Sequence, residues 1–286
     1  PSPLSMLTGL LPGQHGVRDN SGYRFEAARN PYVPELLRRA GYATAGLASS
    51  YVLRAETGFA AGFERFDADV DPGTSNAVGE AQRSGRVTLE LAKRWLDEAR
   101  SRPFFLFLHF YEPHTPYEPE ARFQAKYADR YDGEVATADA LFGELVAHLR
   151  QLDLYDRALI LLVSDHGEGL GDHGEREHGL LLYRETLQVP MILKLPGGEL
   201  AGRRVAAAAQ LIDVAPTLLA AAGAPTPAAM KGTPLAELAR SSGPARRIFP
   251  SPRTVLFNEM EYTVPAERGI ECLRELKKVL PKVRII

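Results

Sequence analysis

The stretch Phe104–Phe110, reading FFLFLHF, constrains the fold of this chain more than any other. A near-continuous apolar run of that length suits a central strand covered on both faces, which is how strands in parallel sheets are buried. Ala158–Val163 has the same character, and shorter apolar runs stand at Ala43–Ser49 and Pro190–Leu195. Helical patterns lie between them. Val87–Arg100 puts Leu89, Ala92, Trp95, Leu96 and Ala99 on one face. Val135–Leu152 does the same with Val135, Ala138, Leu141, Phe142, Leu145, Val146 and Leu149. Further helices are expected over Pro3–Leu11, over Pro34–Ala40 closed by Gly41, and over Asp213–Ala222 closed by Gly223. Strands alternating with helices predict an α/β fold, a mostly parallel central sheet with helices on both faces.

After Ala224 the composition shifts to Pro, Ala, Ser and Arg with weak periodicity. The expected organisation is a domain over residues 1–225 and a small C-terminal appendage over 226–286, in which Glu267–Leu280 can form one helix. Gly58–Gly79 is rich in Gly and Asp and reads as irregular. A length of 286 residues accommodates one large domain plus such an appendage. The net charge of -2 implies no basic face and argues against a nucleic-acid partner. Cys272, the single cysteine, excludes an internal disulfide and a thiolate zinc cage. No run of roughly 18 apolar residues is present, so no membrane-spanning helix is expected. The chain opens Pro1-Ser2-Pro3, with neither Met nor a signal peptide, and reads as lacking its natural beginning.

Two of the apolar runs stop abruptly in polar chemistry. Beyond Val163 come Ser164 to Gly179, with three histidines, two aspartates, three glutamates and five glycines. In open α/β sheets ligands bind beyond the carboxyl ends of strands, and glycines there let the backbone come close to a ligand. Asp165 and His166 therefore read as metal ligands at a strand tip, with His173 and His178 further along the loop. Beyond Phe110 come Glu112 and His114, then Thr115-Pro116-Tyr117-Glu118-Pro119. His109, at the end of that run, reads equally as a core residue or a site residue.

Taken together, four separated stretches resemble the sulfatase family of the alkaline-phosphatase superfamily. Pro1-Ser2, Leu7-Thr8-Gly9-Leu10, Pro12 and His15-Gly16-Val17 resemble its signature, Cys/Ser/Thr-x-Pro-Ser-x-x-x-x-Leu-Thr-Gly. His109, Pro113-His114 and Pro116-Tyr117 are similar to its mid-chain histidine motif. Ser164-Asp165-His166-Gly167-Glu168 with Gly171-Asp172-His173-Gly174 resembles its second metal segment. Asp213, Ala215-Pro216-Thr217-Leu218-Leu219 resembles the helix that follows. The resemblance spans roughly residues 1 to 235 and implies an alkaline-phosphatase-like, three-layer fold.

The resemblance also implies roles. The family's nucleophile belongs two residues before Pro1, and its first metal segment, an Asp-Asp pair, lies upstream as well, so the chain is expected to be truncated before both. Asp165 and His166 would hold one divalent cation, Ca²⁺ first, with Mn²⁺, Mg²⁺ or Zn²⁺ also suited to an Asp–His pair. The cation would neutralise charge on a substrate oxyanion. His114 would donate to a substrate oxygen or protonate the departing alkoxide. His178 stands where many relatives carry a lysine that touches the sulfate, and can serve as proton donor. Asn20 resembles an amide donor of phosphonate- and phosphodiester-cleaving relatives, or else forms an Asx turn. Asp172 and His173 are expected to orient His166 or brace the loop. Pro3 replaces an arginine that many members use to support a formylglycine.

The function expected is hydrolysis of a small-molecule sulfate ester through a metal-assisted covalent intermediate. Pro3, His178 and Asn20 shift weight toward a phosphodiester or phosphonate monoester hydrolase on the same scaffold. A catalytically silent fragment or binding module is the alternative from another class, and the chain by itself is expected to turn esters over weakly or not at all.

Overall fold

The computed structural model describes residues 1–72, 81–179 and 183–241. The helix expected over Glu267–Leu280, with Cys272, lies outside the described residues, as does the end of the Gly58–Gly79 segment. In chain order the elements are α1 (Ser2–Thr8), α2 (Pro12–His15), α3 (Val33–Arg39), β1 (Ala43–Ala48), β2 (Arg65–Asp67), α4 (Gly85–Ala99), β3 (Phe104–His109), α5 (Ala121–Gln124), α6 (Arg130–Gln151), β4 (Ile160–Val163), α7 (Arg184–Leu187), β5 (Met191–Lys194), α8 (Val214–Ala221) and α9 (Leu235–Arg240). The described residues divide into two compact units, residues 1–36 with 158–241, and residues 37–157. No described helix is long and apolar enough to cross a membrane.

In the unit of residues 37–157, three parallel strands run in the order β2-β1-β3. Ala43 stands opposite Phe104 and Ala48 opposite His109. β1 takes the middle because its side chains are small, and all six residues are buried. A Cβ on Gly46 would stand 2.8 Å from the Phe66 ring and 3.1 Å from that of Phe63. Rings fill that face. Phe59, Phe63, Phe66, Phe105 and Phe107 form a cluster with centroids 5.2 to 6.4 Å apart. Phe104, on the other face of β3 by strand alternation, meets Trp95 of α4 edge-on at 5.8 Å. β3 is thus covered on both faces as expected, yet it stands at the end of the three strands and its residues are half-buried.

α6 packs on α4 and begins at Arg130 rather than Val135, because the Asp129 carboxylate accepts the Tyr131 N–H at 2.9 Å and caps the helix. Its buried face starts with polar residues, Glu134 and Thr137, before Leu141, Phe142 and Leu145.

In the other unit, β4 and β5 pair antiparallel, with Ile160 opposite Lys194 and Val163 opposite Met191. All seven residues of α1 are buried. Its Met6 enters a core with Val189, Met191, Ala209, Leu211, Val214, Leu235 and Leu238. The Asp213 carboxylate, fully buried, accepts the Gln210 N–H at 2.7 Å and the Thr233 N–H at 2.8 Å. Thr217 Oγ1 accepts the Leu235 N–H at 2.8 Å. Residue 225 therefore falls inside this unit, with α9 in the same core as α1.

Candidate functional site

β4 ends at Val163 and delivers the chain into the glycine-rich loop. Ser164 Oγ donates to the His166 carbonyl at 2.6 Å. The N–H groups of Gly167 and Glu168 donate to the Thr186 and Glu185 carbonyls at 2.8 and 3.1 Å, lacing the loop to α7. A Cβ on Gly167 would stand 1.9 Å from the Glu185 carbonyl oxygen, so only glycine permits that approach. The loop then doubles back: Gly169, Leu170 and Gly171 donate to the carbonyls of Glu177, Arg176 and Glu175 at 2.7, 3.0 and 2.8 Å. This return carries His178 onto His166, their rings stacked at 3.8 Å between centroids.

Hydrogen bonds settle which ring nitrogens carry protons. The Gly167 carbonyl can only accept, so His166 Nδ1–H donates to it at 2.9 Å. In the neutral ring that leaves the Nε2 lone pair 3.7 Å from Asp165 Oδ1. A carboxylate and an imidazole lone pair are both ligand types that divalent cations accept. His178 Nδ1 bonds Glu168 Oε1 at 3.1 Å, and the Glu168 side chain is only 4% exposed. Burial disfavours a charge on His178, but its hydrogen bond to Glu168 and the charges of Glu168, Asp165 and Glu177 outweigh burial and raise its pKa.

His173 lies apart from this pair. It sits at the loop's far turn with φ 53, stacks on Tyr183 at 3.8 Å and bonds Glu185 Oε1 at 2.6 Å. It braces the loop against α7 rather than orienting His166. Asn20 is exposed, and the turn there is made by Asp19, whose Oδ1 accepts the Ser21 N–H at 3.3 Å.

Behind α1, Val17 N–H donates to His15 Nδ1 at 3.3 Å, so in the neutral ring Nε2–H faces Ser5 Oγ at 3.0 Å. Burial pulls His15 down to about 4. The pair ties α1 to the turn that follows it.

His114 belongs to the unit of residues 37–157. Its Nδ1–H donates to the Thr115 carbonyl at 2.7 Å, which leaves Nε2 to accept from the Tyr111 hydroxyl at 3.1 Å in the neutral ring. The two rings stack at 4.1 Å. The His114 N–H donates to Glu134 Oε2 at 3.0 Å. Burial, the largest influence on it, pushes Glu134 up to about 7. The structure thus gathers Asp165, His166 and His178 in one unit, leaves Asn20 exposed in that unit, and sets His114 on a loop of the other. Sequence reasoning passes over Ser5, Tyr111, Glu134, Glu168 and Glu185. Glu134 carried a usable signal, a carboxylate seven residues before Leu141 on the apolar stripe of α6.

Comparison with known proteins adds to this geometry. A family model described as Sulfatase matches residues 1–224, and one described as D-arabinono-1,4-lactone oxidase matches residues 221–285. The chain is similar to Arylsulfatase K of Canis lupus familiaris, 34% identical over 108 residues, which are 38% of this chain and 20% of that protein. It is similar to Steryl-sulfatase of Rattus norvegicus, 34% identical over 147 residues, 46% of this chain and 25% of that protein. The Multifunctional alkaline phosphatase superfamily protein PehA of Trinickia caryophylli is 26% identical over 247 residues, 63% of this chain and 48% of that protein. The chain therefore spans between a fifth and a half of the length of these relatives. Its fold is like that of BT4656 in complex with its substrate D-glucosamine-2-N,6-O-disulfate, with TM-score 0.67, 17% identity, and 86% of this chain and 71% of that chain covered. It is also like the phosphonate monoester hydrolase from Silicibacter pomeroyi, with TM-score 0.68, 20% identity, and coverage of 85% and 67%.

Proposed function

Because the chain belongs to the sulfatase family, we propose that it hydrolyses sulfate esters with the help of one divalent cation. The observation that carries this reading is the Asp165 carboxylate beside the Nε2 lone pair of His166, whose proton is held on the other nitrogen by the Gly167 carbonyl. A carboxylate oxygen and an imidazole nitrogen fit a cation, and Asp165 and His166 would hold it. When bound, such a cation supplies charge neutralisation at the ester's oxyanion. Ca²⁺ wants six or more oxygen-type ligands, roughly, so these two side chains furnish part of its shell.

The chain's own groups are proposed as proton donors, the sulfuryl group passing to a nucleophile that is not among them. His178, its Nδ1 on buried Glu168, delivers a proton from Nε2 to the departing alkoxide as that nucleophile bonds to sulfur and the ester S–O bond breaks. For His114 the proposed role is donation to an ester oxygen, which requires a proton on Nε2, the nitrogen that meets the Tyr111 hydroxyl in this structure. Asn20 is proposed, on the family resemblance, as an amide donor to the ester. A second reading, hydrolysis of phosphodiesters or phosphonate monoesters, is supported by Pro3, His178 and Asn20 standing where sulfate-specialised relatives carry other residues. The appendage expected over 226–286 is not separate at its start, since Leu235 and Leu238 share a core with Met6.

Calorimetric titration of the full-length protein with Ca²⁺, Mn²⁺, Mg²⁺ and Zn²⁺, paired with its turnover of an aryl sulfate and a bis-aryl phosphate, tests these readings. A bound cation is expected to be lost in Asp165→Asn and His166→Ala, weakened more than about 10-fold. Faster cleavage of the phosphate diester would favour the second reading. Cation binding without turnover of either ester would favour a binding module.

A further inference from the structure

We infer that Glu134, a residue of α6, is the positioning residue that sets the ring of His114, an inference that rests on His114 serving the ester chemistry proposed above. Residues 110–120 form neither helix nor strand, so their backbone N–H groups find no partners in a regular ladder and must be satisfied otherwise. Side chains of α6 do this. Glu134, 1% exposed, accepts the His114 N–H on Oε2 at 3.0 Å and the Glu118 N–H on Oε1 at 2.6 Å. From the next turn of α6, Thr137 Oγ1 accepts the Glu120 N–H at 3.1 Å while donating to the Gly133 carbonyl at 3.0 Å. Glu112 reaches the other way, its Oε1 accepting the Gly85 N–H at 2.7 Å at the start of α4. Gln82 Nε2 donates to the Pro116 carbonyl at 3.1 Å.

The side chain of Glu134 is chemically specific. A carboxylate accepts through both oxygens, and two N–H groups four residues apart converge on it. An amide in its place has one acceptor oxygen and an NH₂ group that would face a second donor. Gripping positions 114 and 118 together fixes the curvature of the loop between them. That curvature brings the Thr115 carbonyl under His114 Nδ1 at 2.7 Å, and the partner of one ring nitrogen decides what the other presents. Glu134 therefore acts on the His114 ring through the backbone, without touching the ring.

Three measurements on the whole chain test this. In Glu134→Ala, amide hydrogen exchange at His114 and Glu118 is expected to quicken by on the order of 10-fold or more, with Leu141 and Leu145 unchanged. Should that variant fail to fold, Glu134→Gln replaces it, with faster exchange expected at one of the two amides. Wild-type protection at both amides in the folded variant overturns the inference. The ¹⁵N signals of the His114 ring supply a readout that a mere structural tie would not move: Nδ1–H in the wild type, and a mixture with Nε2–H in Glu134→Gln. An unchanged ring spectrum beside quickened exchange also overturns it, leaving Glu134 as a structural tie. Finally, in the full-length protein Glu134→Gln is expected to lower kcat for an ester substrate on the order of 10-fold or more with KM nearly constant, as small misplacements of a catalytic group do. Wild-type kcat in His114→Ala would instead defeat the role of His114, a failure separate from the other two.

Discussion

Single residues decide which protons are available. His15 and Ser5 share one hydrogen bond inside the protein, with Val17 N–H closing the other side of the ring. Ser5→Ala would strand a buried N–H and is expected to cost about 1–3 kcal/mol, read as a lowered Tm; an unchanged Tm would mean the bond contributes nothing. The same reasoning explains what was readable at this scale. Asp165 and His166 stand out because acid and imidazole follow directly on an apolar strand. His114 stands out in a proline-rich turn after another strand. Glu168, Glu134 and Glu185 do not, because each looks like an ordinary solvated carboxylate until the fold buries it or aims it at an imidazole or an N–H. Asn20 shows the reverse. Its composition suggested a turn or a donor, but the turn belongs to its neighbour Asp19.

Elements were legible where apolar runs were clean. β1, β3, β4 and β5 and helices α4 and α8 fall within a few residues of the expected positions. The start of α6 was hidden because its first buried positions are polar, and α7 and α9 were hidden because they are short and lack a full apolar stripe. The order of strands was hidden too, since it depends on the small side chains of β1 rather than on the conspicuous run of β3. The glycine-rich loop behaves as an element in its own right. Gly167→Ala forces a Cβ against the Glu185 carbonyl, so it is expected to lower stability by about 1–3 kcal/mol and to weaken cation binding. Gly13→Ala, where a Cβ meets nothing within 4 Å, should leave binding as it was. Equal binding in the two variants would show that the loop's close approach does not hold Asp165 and His166.

At the scale of the molecule, one buried group in each unit titrates with opposite sign. His15 falls from 6.5 to about 4 on folding, so the unfolded chain binds the extra proton. The contribution of His15 is therefore full above 6.5 and is lost as pH drops toward 4, by about 3 kcal/mol. Glu134 rises from 4.5 to about 7, so the native state binds the extra proton. Its contribution is full below 4.5 and is lost as pH climbs toward 7, again by about 3 kcal/mol. Hydrogen exchange between pH 5 and 7, corrected for its intrinsic rate, should report the first slope at α8 and the second at β1; slopes of one sign at both would contradict the assignment. The division of the chain also bears on how it is made. Residues 37–157 form an unbroken segment, whereas α1 shares its core with side chains as distant as Leu238. On a ribosome adding about 5–20 residues per second, the inserted segment can complete itself first. Met6 and its neighbours then wait roughly ten seconds or more for their partners, an interval in which a chaperone's natural target is α1.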